Sequence, residues 1–211
     1  MNSVLAPRAG FCDIAGHANE RTVIAAIIPG GVVCGNKVPT CRFSAPDAAK
    51  RHLIWVGLAN SFVFDWVARR RLSTSLNYFH LREMPFPNVD TSGFLESELA
   101  YRVAQLTDIE EHNESLSSWL LEASGYVRGG NGLLGEAARR SVRARVEALG
   151  CLLFQVQPSA MEYIWQDFSS AISRMGGEGF KHEVYQFIAN YSDKLTRGSR
   201  ERVKGVVRKG R

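Results

Sequence analysis

The most literal chemical motif in the sequence is formed by Gly130, Gly132 and Gly135, which share the GxGxxG spacing that lets a backbone approach a pyrophosphate. A dinucleotide site needs a strand before these glycines and an acidic residue about 20 positions later to bind a ribose. The preceding segment, WLLEASGYVR, is predicted to be helical, and no acidic residue stands at that distance. The context therefore favours a loop between two helices over a nucleotide site.

Three histidines are the next candidates for chemistry. His52 and His112 lie in predicted helices, and His80 alternates with apolar neighbours in NYFHL. None has an acid or a nucleophile at the spacing of a Ser-His-Asp triad, a carboxylate pair or a metal triad. The residues alone predict a non-catalytic module.

The four cysteines, Cys12, Cys34, Cys41 and Cys151, have no CxxC spacing. A zinc site from the first three together with His17 fits no common zinc motif. No signal peptide precedes the cysteines, so we expect reduced thiols in a cytoplasmic protein.

The positive charge of the chain is concentrated at its C-terminal end. Residues 196–211 hold seven of the 26 Lys and Arg residues and one of the 21 Asp and Glu residues, which leaves 19 basic and 20 acidic residues elsewhere. This segment is predicted to be a mobile basic arm that either contacts nucleic acid non-specifically or aids solubility. The longest apolar run is too short to cross a bilayer, so no membrane segment is predicted.

A densely apolar segment from Leu53 to Val67 is the predicted centre of the fold, as a single helix buried on most of its circumference and including Trp55. An extended run is predicted over residues 76–81. Prolines at alternate positions then predict that residues 85–87 leave the core in an extended conformation.

Short β-branched runs before this helix predict a small mixed sheet packed against it, with strands over residues 21–29, 32–34 and 40–43. Beyond residue 90 a period of 3.6 residues takes over. It predicts a long helix or helix pair over 94–124, and further helices over 136–154, 158–175 and 180–191. The expected fold class is α+β, divided into an α+β part (1–90), a helical subdomain (91–195) and the basic tail (196–211).

The order of these segments resembles that of the C-terminal target-recognition region of large adenine-specific DNA methyltransferases, of the fused restriction-modification and phage-exclusion type. The resemblance is carried by NERTVIAAIIP at 19–29, GN at 35–36, LANSFVFDWVARRR at 58–71 and SLNYFHLREMPFP at 75–87. Residues 139–168 are similar to the closing helices of that family, with ALGCLLF in place of a more regular run. The resemblance covers roughly residues 11 to 170.

The resemblance implies that the chain supplies DNA specificity and that catalysis belongs to a separate half. That half binds S-adenosylmethionine and holds the flipped adenine with an (Asn/Asp)-Pro-Pro-(Tyr/Phe) motif, and no Pro-Pro pair occurs in this sequence. The expected partners are double-stranded DNA and a catalytic methyltransferase chain or domain, with no cofactor bound by this chain. A helical protein-interaction module, a truncated remnant and, as the weakest reading, an enzyme in its own right are the alternatives.

The resemblance also suggests which side chains contact DNA, because recognition domains use cationic and hydroxyl groups against phosphates. The candidates are Arg69, Arg70, Arg71, Ser73, Thr74, Ser75 and Asn77. For the arginines, compensation of the helix dipole at a C-terminal end is the competing interpretation, and it applies to at least one of the three.

Overall fold

The computed structural model describes residues 5–16, 19–72, 74–109, 114–129 and 134–209. Three strands, β1 (Arg8–Phe11), β2 (Ala25–Ile28) and β3 (Thr40–Cys41), form an antiparallel sheet in the order β2-β1-β3. The helices of the described part are α1 (Ala48–Ala59), α2 (Phe62–Arg71), α3 (Tyr78–Glu83), α4 (Phe94–Thr107), α5 (Glu114–Ser124), α6 (Glu136–Leu153), α7 (Met161–Gln166), α8 (Ser169–Arg174) and α9 (Glu178–Lys209). The predicted α+β class, with a small sheet on a buried helix and helices after it, is confirmed.

The central strand, β1, has no counterpart in the sequence prediction. All four of its residues are buried, including Arg8, and its Gly10 breaks any apolar pattern. A Cβ at Gly10 would lie 2.8 Å from Cγ1 of Ile28 on β2, so glycine permits the close approach of the two strands. The strand β3 lies within the predicted third strand.

The strand β2 is shorter than the predicted run over 21–29. The backbone N–H groups of Thr22 and Val23 donate to the carboxylate of Asp65 instead of joining the sheet. The strand predicted over 32–34 is wrong, since these residues lie in the loop between β2 and β3.

The buried segment predicted as one helix is broken into α1 and α2. Ser61 has an extended backbone (φ −68°, ψ 147°), and its hydroxyl accepts the N–H of Phe64 at 3.2 Å as an N-cap. The amide of Asn60 binds both backbone groups of Ala25 on β2, at 3.0 and 2.8 Å. Two polar side chains within an apolar run thus separate the helices and join the break to the sheet.

The most deeply buried aromatic cluster lies where α2 meets α7. The ring centroid of Phe62 is 5.6 Å from that of Trp165 and 4.9 Å from that of Phe168. By contrast, Trp55 is only partly buried and packs 6.1 Å from Phe11 at the sheet. The hydrophobic core is continuous from the sheet to α9, so the two predicted parts share it.

The predicted helix over 158–175 is divided into a 3-10 turn, α7 and α8. The large apolar residues at helical spacing in this segment are all buried: Met161, Ile164, Trp165, Phe168 and Ile172. The last predicted helix is too short, because α9 continues to Lys209 through the segment expected to be a mobile arm.

The expected extended run over 76–81 is wrong from Tyr78 onward, where α3 begins. Residues 85–87 lie outside helices and strands, but the prediction that they leave the core is wrong at Phe86. Phe86 turns back to the core and packs 5.5 Å from Phe64 and 6.0 Å from Phe154.

Candidate nucleic-acid interface

The three arginines at the end of α2 have different environments, and Arg69 is an internal connector. Its guanidinium donates to the carbonyls of Asn19 at 2.6 Å, Glu20 at 2.9 Å and Asp167 at 2.6 Å. It also lies 4.3 Å from the ring centroid of Phe168. Because these contacts use the donors of Arg69, this side chain fastens the loop before β2 to α2 and to the α7–α8 junction.

Replacing Arg69 with Ala is expected to lower the free energy of unfolding by about 2 kcal/mol, because three backbone carbonyls, two of them in partly buried hydrogen bonds, lose a charged donor. The matched control is Arg71→Ala two residues later, which should change that free energy by about 0.5 kcal/mol or less at its exposed position. Urea denaturation followed by circular dichroism measures both. Equal values for the two variants would contradict the connecting role of Arg69.

Arg70 and Arg71 are both exposed. Of the two, only Arg71 forms no ion pair with a carboxylate of the described residues. Arg70 stacks 3.6 Å above the ring centroid of Trp66 and pairs with Asp167 at 2.7 Å. Arg71 donates to the carbonyl of Glu83, at the end of α3, at 2.6 Å. Arg71 is therefore the arginine of this group that is best placed to meet an anion.

The residues with hydroxyl side chains that follow α2 lie beside the segment after β1. Ser75 forms an isolated antiparallel bridge with Ile14, and the exposed Thr74 accepts the N–H of Ala15 at its carbonyl. Ser73 lies outside the described residues. Asn77 is exposed, and its side chain caps α3 by accepting the N–H of His80 at 3.1 Å.

The helix α3, which begins directly after the predicted residue Asn77, has no buried residue. Tyr78 and Phe79 are 48% and 65% exposed, and Arg82 is exposed near the other end. The hydroxyl of Tyr78 pairs with both backbone groups of Thr40, at 3.1 and 2.9 Å, which brings the start of α3 beside β3.

Two further arginines flank this helix. Arg42 follows β3 near the start of α3, and Arg71 contacts its end. We call the exposed side chains of Arg42, Arg71, Tyr78, Phe79 and Arg82 the α3 surface. It combines three cations with two aromatic rings, and the exposed Glu83 is an acid at its edge.

A buried polar network joins α2 to the segment before β2. Its members are far apart in the sequence, and only the structure shows that they are in contact. Asp65 is fully buried and accepts from the guanidinium of Arg21 and from the N–H groups of Thr22 at 3.0 Å and Val23 at 3.3 Å. Arg21 also lies 4.3 Å from the ring centroid of Phe62. The sequence contains one clue, a charged residue within a densely apolar run, because an acid there needs a buried partner.

Glu147 on α6 completes this network. Its Oε2 accepts the N–H of Phe62, the first residue of α2, at 2.9 Å. Burial raises the pKa of Glu147 to about 7, although Arg21 and the N–H of Phe62 act to lower it. The carboxyl of Glu147 thus caps the N-terminal end of α2. The helix dipole favours negative charge at this end, but burial outweighs it and disfavours the charged form of Glu147.

The other candidates from the sequence show no assembled centre within the described residues. Gly130 and Gly132 of the GxGxxG spacing, His17 and His112 lie outside them. No group of three or more His, Cys, Asp or Glu residues in the described ranges is arranged to hold a metal ion. Among the helices described, none combines the length and apolar character needed to cross a bilayer.

Neither a protein-family model, nor a curated protein, nor a solved structure matches the chain. Function is therefore inferred from the geometry of the α3 surface and from the order of the sequence motifs.

Proposed function

We propose that the chain is the DNA-recognition part of an adenine-specific DNA methyltransferase or restriction-modification system, and that the α3 surface contacts double-stranded DNA. The observation that carries the proposal is the set of three exposed arginines on or beside α3, which also carries the exposed rings of Tyr78 and Phe79. Arg82 lies on the helix, Arg71 contacts its end and Arg42 lines a pocket with Tyr78 at its start. Phosphate contacts by such cations fix the position of a protein on a duplex, whereas contacts to base edges supply specificity.

The aromatic residues of the α3 surface support this assignment. Phe79 is 65% exposed, whereas only a minority of the large apolar side chains in the described residues are exposed. Contiguous exposed apolar area is typical of a surface that a partner covers. Together with neighbouring cations, an exposed ring is suited to lie against the sugars and bases of DNA while the arginines neutralise phosphates.

In this proposal, methyl transfer belongs to a separate catalytic chain or domain. That partner binds S-adenosylmethionine and extracts the adenine from the duplex, since the target atom is inaccessible inside the stack. The recognition part positions the partner on the DNA. The encounter takes place in the cytoplasm.

Replacing Arg71 and Arg82 together with Gln is expected to weaken duplex binding several-fold. It should also reduce the slope of log K against log salt by about 2, because each neutralised phosphate contributes about 0.9 to this slope. Fluorescence anisotropy with a labelled duplex, over a series of salt concentrations, measures both quantities.

The charge-matched control is Arg140→Gln with Arg143→Gln, since both residues are exposed on α6. It keeps the wild-type slope if binding is local to the α3 surface. An equal loss in both double variants would mean that only net charge matters. Wild-type protein that binds a protein partner but shows no salt-sensitive affinity for DNA would favour an interaction module instead.

A second experiment tests the link to methylation. The purified chain is added to an adenine methyltransferase chain from the same genome that lacks its own recognition region, with duplex DNA and S-adenosylmethionine carrying a labelled methyl group. Label incorporation that requires both chains would support a specificity subunit. Incorporation that is independent of the chain would reject this role.

A further inference from the structure

A pocket of about 300 Å³ lies beside the α3 surface, between the start of β1, the loop after β2, and the N-terminal end of α3. Its lining includes two cations and several uncharged polar groups: Arg8, Cys34, Asn36, Thr40, Arg42 and Tyr78. None of the described residues that line it is acidic. The pocket therefore has an excess of positive charge.

Arg8 is the unusual member of this pocket, because its charge is buried and has no carboxylate partner among the residues that the structure describes. The residue is 6% exposed, and its Nη2 donates to the carbonyl of Val32 at 2.8 Å and lies 3.9 Å from Sγ of Cys34. Its Nη1 is buried and has no hydrogen-bond partner in the described part of the chain. Buried charges are normally paired, so an unpaired guanidinium donor is a feature that requires an explanation.

Arg42 supplies the second charge at the exposed side of the same pocket. Within the described residues, neither Arg8 nor Arg42 forms an ion pair with a carboxylate. Guanidinium groups bind phosphate through two parallel N–H donors, and such charge-assisted bonds are stronger than neutral ones. A tetrahedral anion in this pocket would neutralise both cations and provide an acceptor for Nη1 of Arg8.

We propose that this pocket is a phosphate-binding site formed by Arg8 and Arg42. The assignment rests on the proposed function in one respect: the phosphate that it takes is a backbone phosphate of the duplex bound at the α3 surface. The pocket shares Arg42 and Tyr78 with that surface, so a phosphate held here fixes the register of α3 on the DNA.

The test compares Arg42→Gln with Lys37→Gln. Lys37 is an exposed cation five residues away that does not line the pocket, so both variants lose one charge from the same region. In duplex binding over a salt series, Arg42→Gln is expected to weaken affinity several-fold and to reduce the salt slope by about 1, whereas Lys37→Gln stays close to wild type. Arg8→Gln should reproduce the loss where it folds.

A second measurement does not depend on DNA. The melting temperature is recorded in inorganic phosphate and in chloride at equal ionic strength. A ligand that binds the folded state raises the melting temperature. Phosphate should therefore raise the melting temperatures of the wild type and of Lys37→Gln more than that of Arg42→Gln. Phosphate also stabilises proteins without binding to a specific site. This effect is the same for the wild type, Lys37→Gln and Arg42→Gln, so it cancels when their rises in melting temperature are compared.

The two measurements separate the site from the proposed function. If the wild type binds DNA but Arg42→Gln is indistinguishable from Lys37→Gln in both measurements, the phosphate site is overturned and Arg42 is removed from the α3 surface. The proposed function then depends on the separate result for Arg71→Gln with Arg82→Gln. Selective stabilisation by phosphate without any DNA binding by the wild type would support a site for free phosphate and reject DNA recognition. Loss of both effects in Arg42→Gln supports the backbone-phosphate assignment.

Discussion

Replacing Asp65 with Ala is expected to lower the free energy of unfolding by about 3 to 5 kcal/mol, which is the range for breaking a buried ion pair by removing one partner. The carboxylate is fully buried and accepts from Arg21 and from two backbone N–H groups, of Thr22 and Val23. The variant leaves a largely buried guanidinium and two donors without an acceptor. Urea denaturation at pH 7 measures the loss.

The matched control is Asp13→Ala, which removes a carboxylate from an exposed pair. Lys37 binds Asp13 at 3.0 Å, and the two side chains are 65% and 20% exposed. Exposed pairs contribute about 0 to 1 kcal/mol. A similar small loss for Asp65→Ala would contradict the structural importance of the buried network.

The network also explains why α2 is a rigid support for the α3 surface. Asp65 and Glu147 hold the N-terminal end of α2, and Arg69 joins its C-terminal half to the loop before β2. Arg71 at the end of the same helix contacts α3. Sequence position alone does not distinguish a guanidinium that binds backbone carbonyls, such as that of Arg69, from one that faces solvent.

Long periodic segments of the fold could be predicted from sequence, because burial of one helix face leaves a repeated pattern. The helix pair after residue 94, the long helix α6 and the buried stripe through Trp165 follow this rule. The strand β1 could not be found, since a buried Arg8 and a Gly10 conceal it. The break between α1 and α2 depends on Asn60 reaching the distant Ala25, and such long-range pairing has no local pattern.

The same reasoning applies to the candidate site. Residue type and order select Arg71 and Asn77 as candidates for DNA contact, and the structure places Arg71 on the α3 surface and Asn77 at the cap of α3. The sequence predicts an extended run in place of α3, because a helix of six residues is too short to show a period of 3.6. Arg42 lies near α3 because Tyr78 bonds to Thr40, a contact between segments 38 residues apart that leaves no local sequence pattern. Surfaces assembled from separate segments are set by tertiary contacts and are therefore the least accessible to sequence reasoning.

Replacing Glu147 with Gln is expected to remove a pH dependence of stability between about pH 4.5 and 7. In the unfolded chain the carboxyl has an ordinary pKa of 4.5, and burial raises its pKa to about 7 in the folded protein. The folded state therefore binds the proton more tightly. The stabilisation that comes from the proton on Glu147 is fully present below pH 4.5 and is lost as the pH rises through 7. The free energy of unfolding then falls by about 3 kcal/mol, at 1.36 kcal/mol per pKa unit.

A Gln at position 147 keeps an oxygen for the N–H of Phe62 and carries no charge beside Asp65. We therefore expect equal stability of variant and wild type near pH 4.5, and a variant that is more stable by about 3 kcal/mol at pH 8. Urea denaturation at four pH values from 4.5 to 8 measures the difference. Glu122→Gln, at an exposed position on α5, is the control and should follow the wild-type curve. Parallel curves for Glu147→Gln and the wild type would mean that Glu147 is already charged at pH 5 in the folded protein.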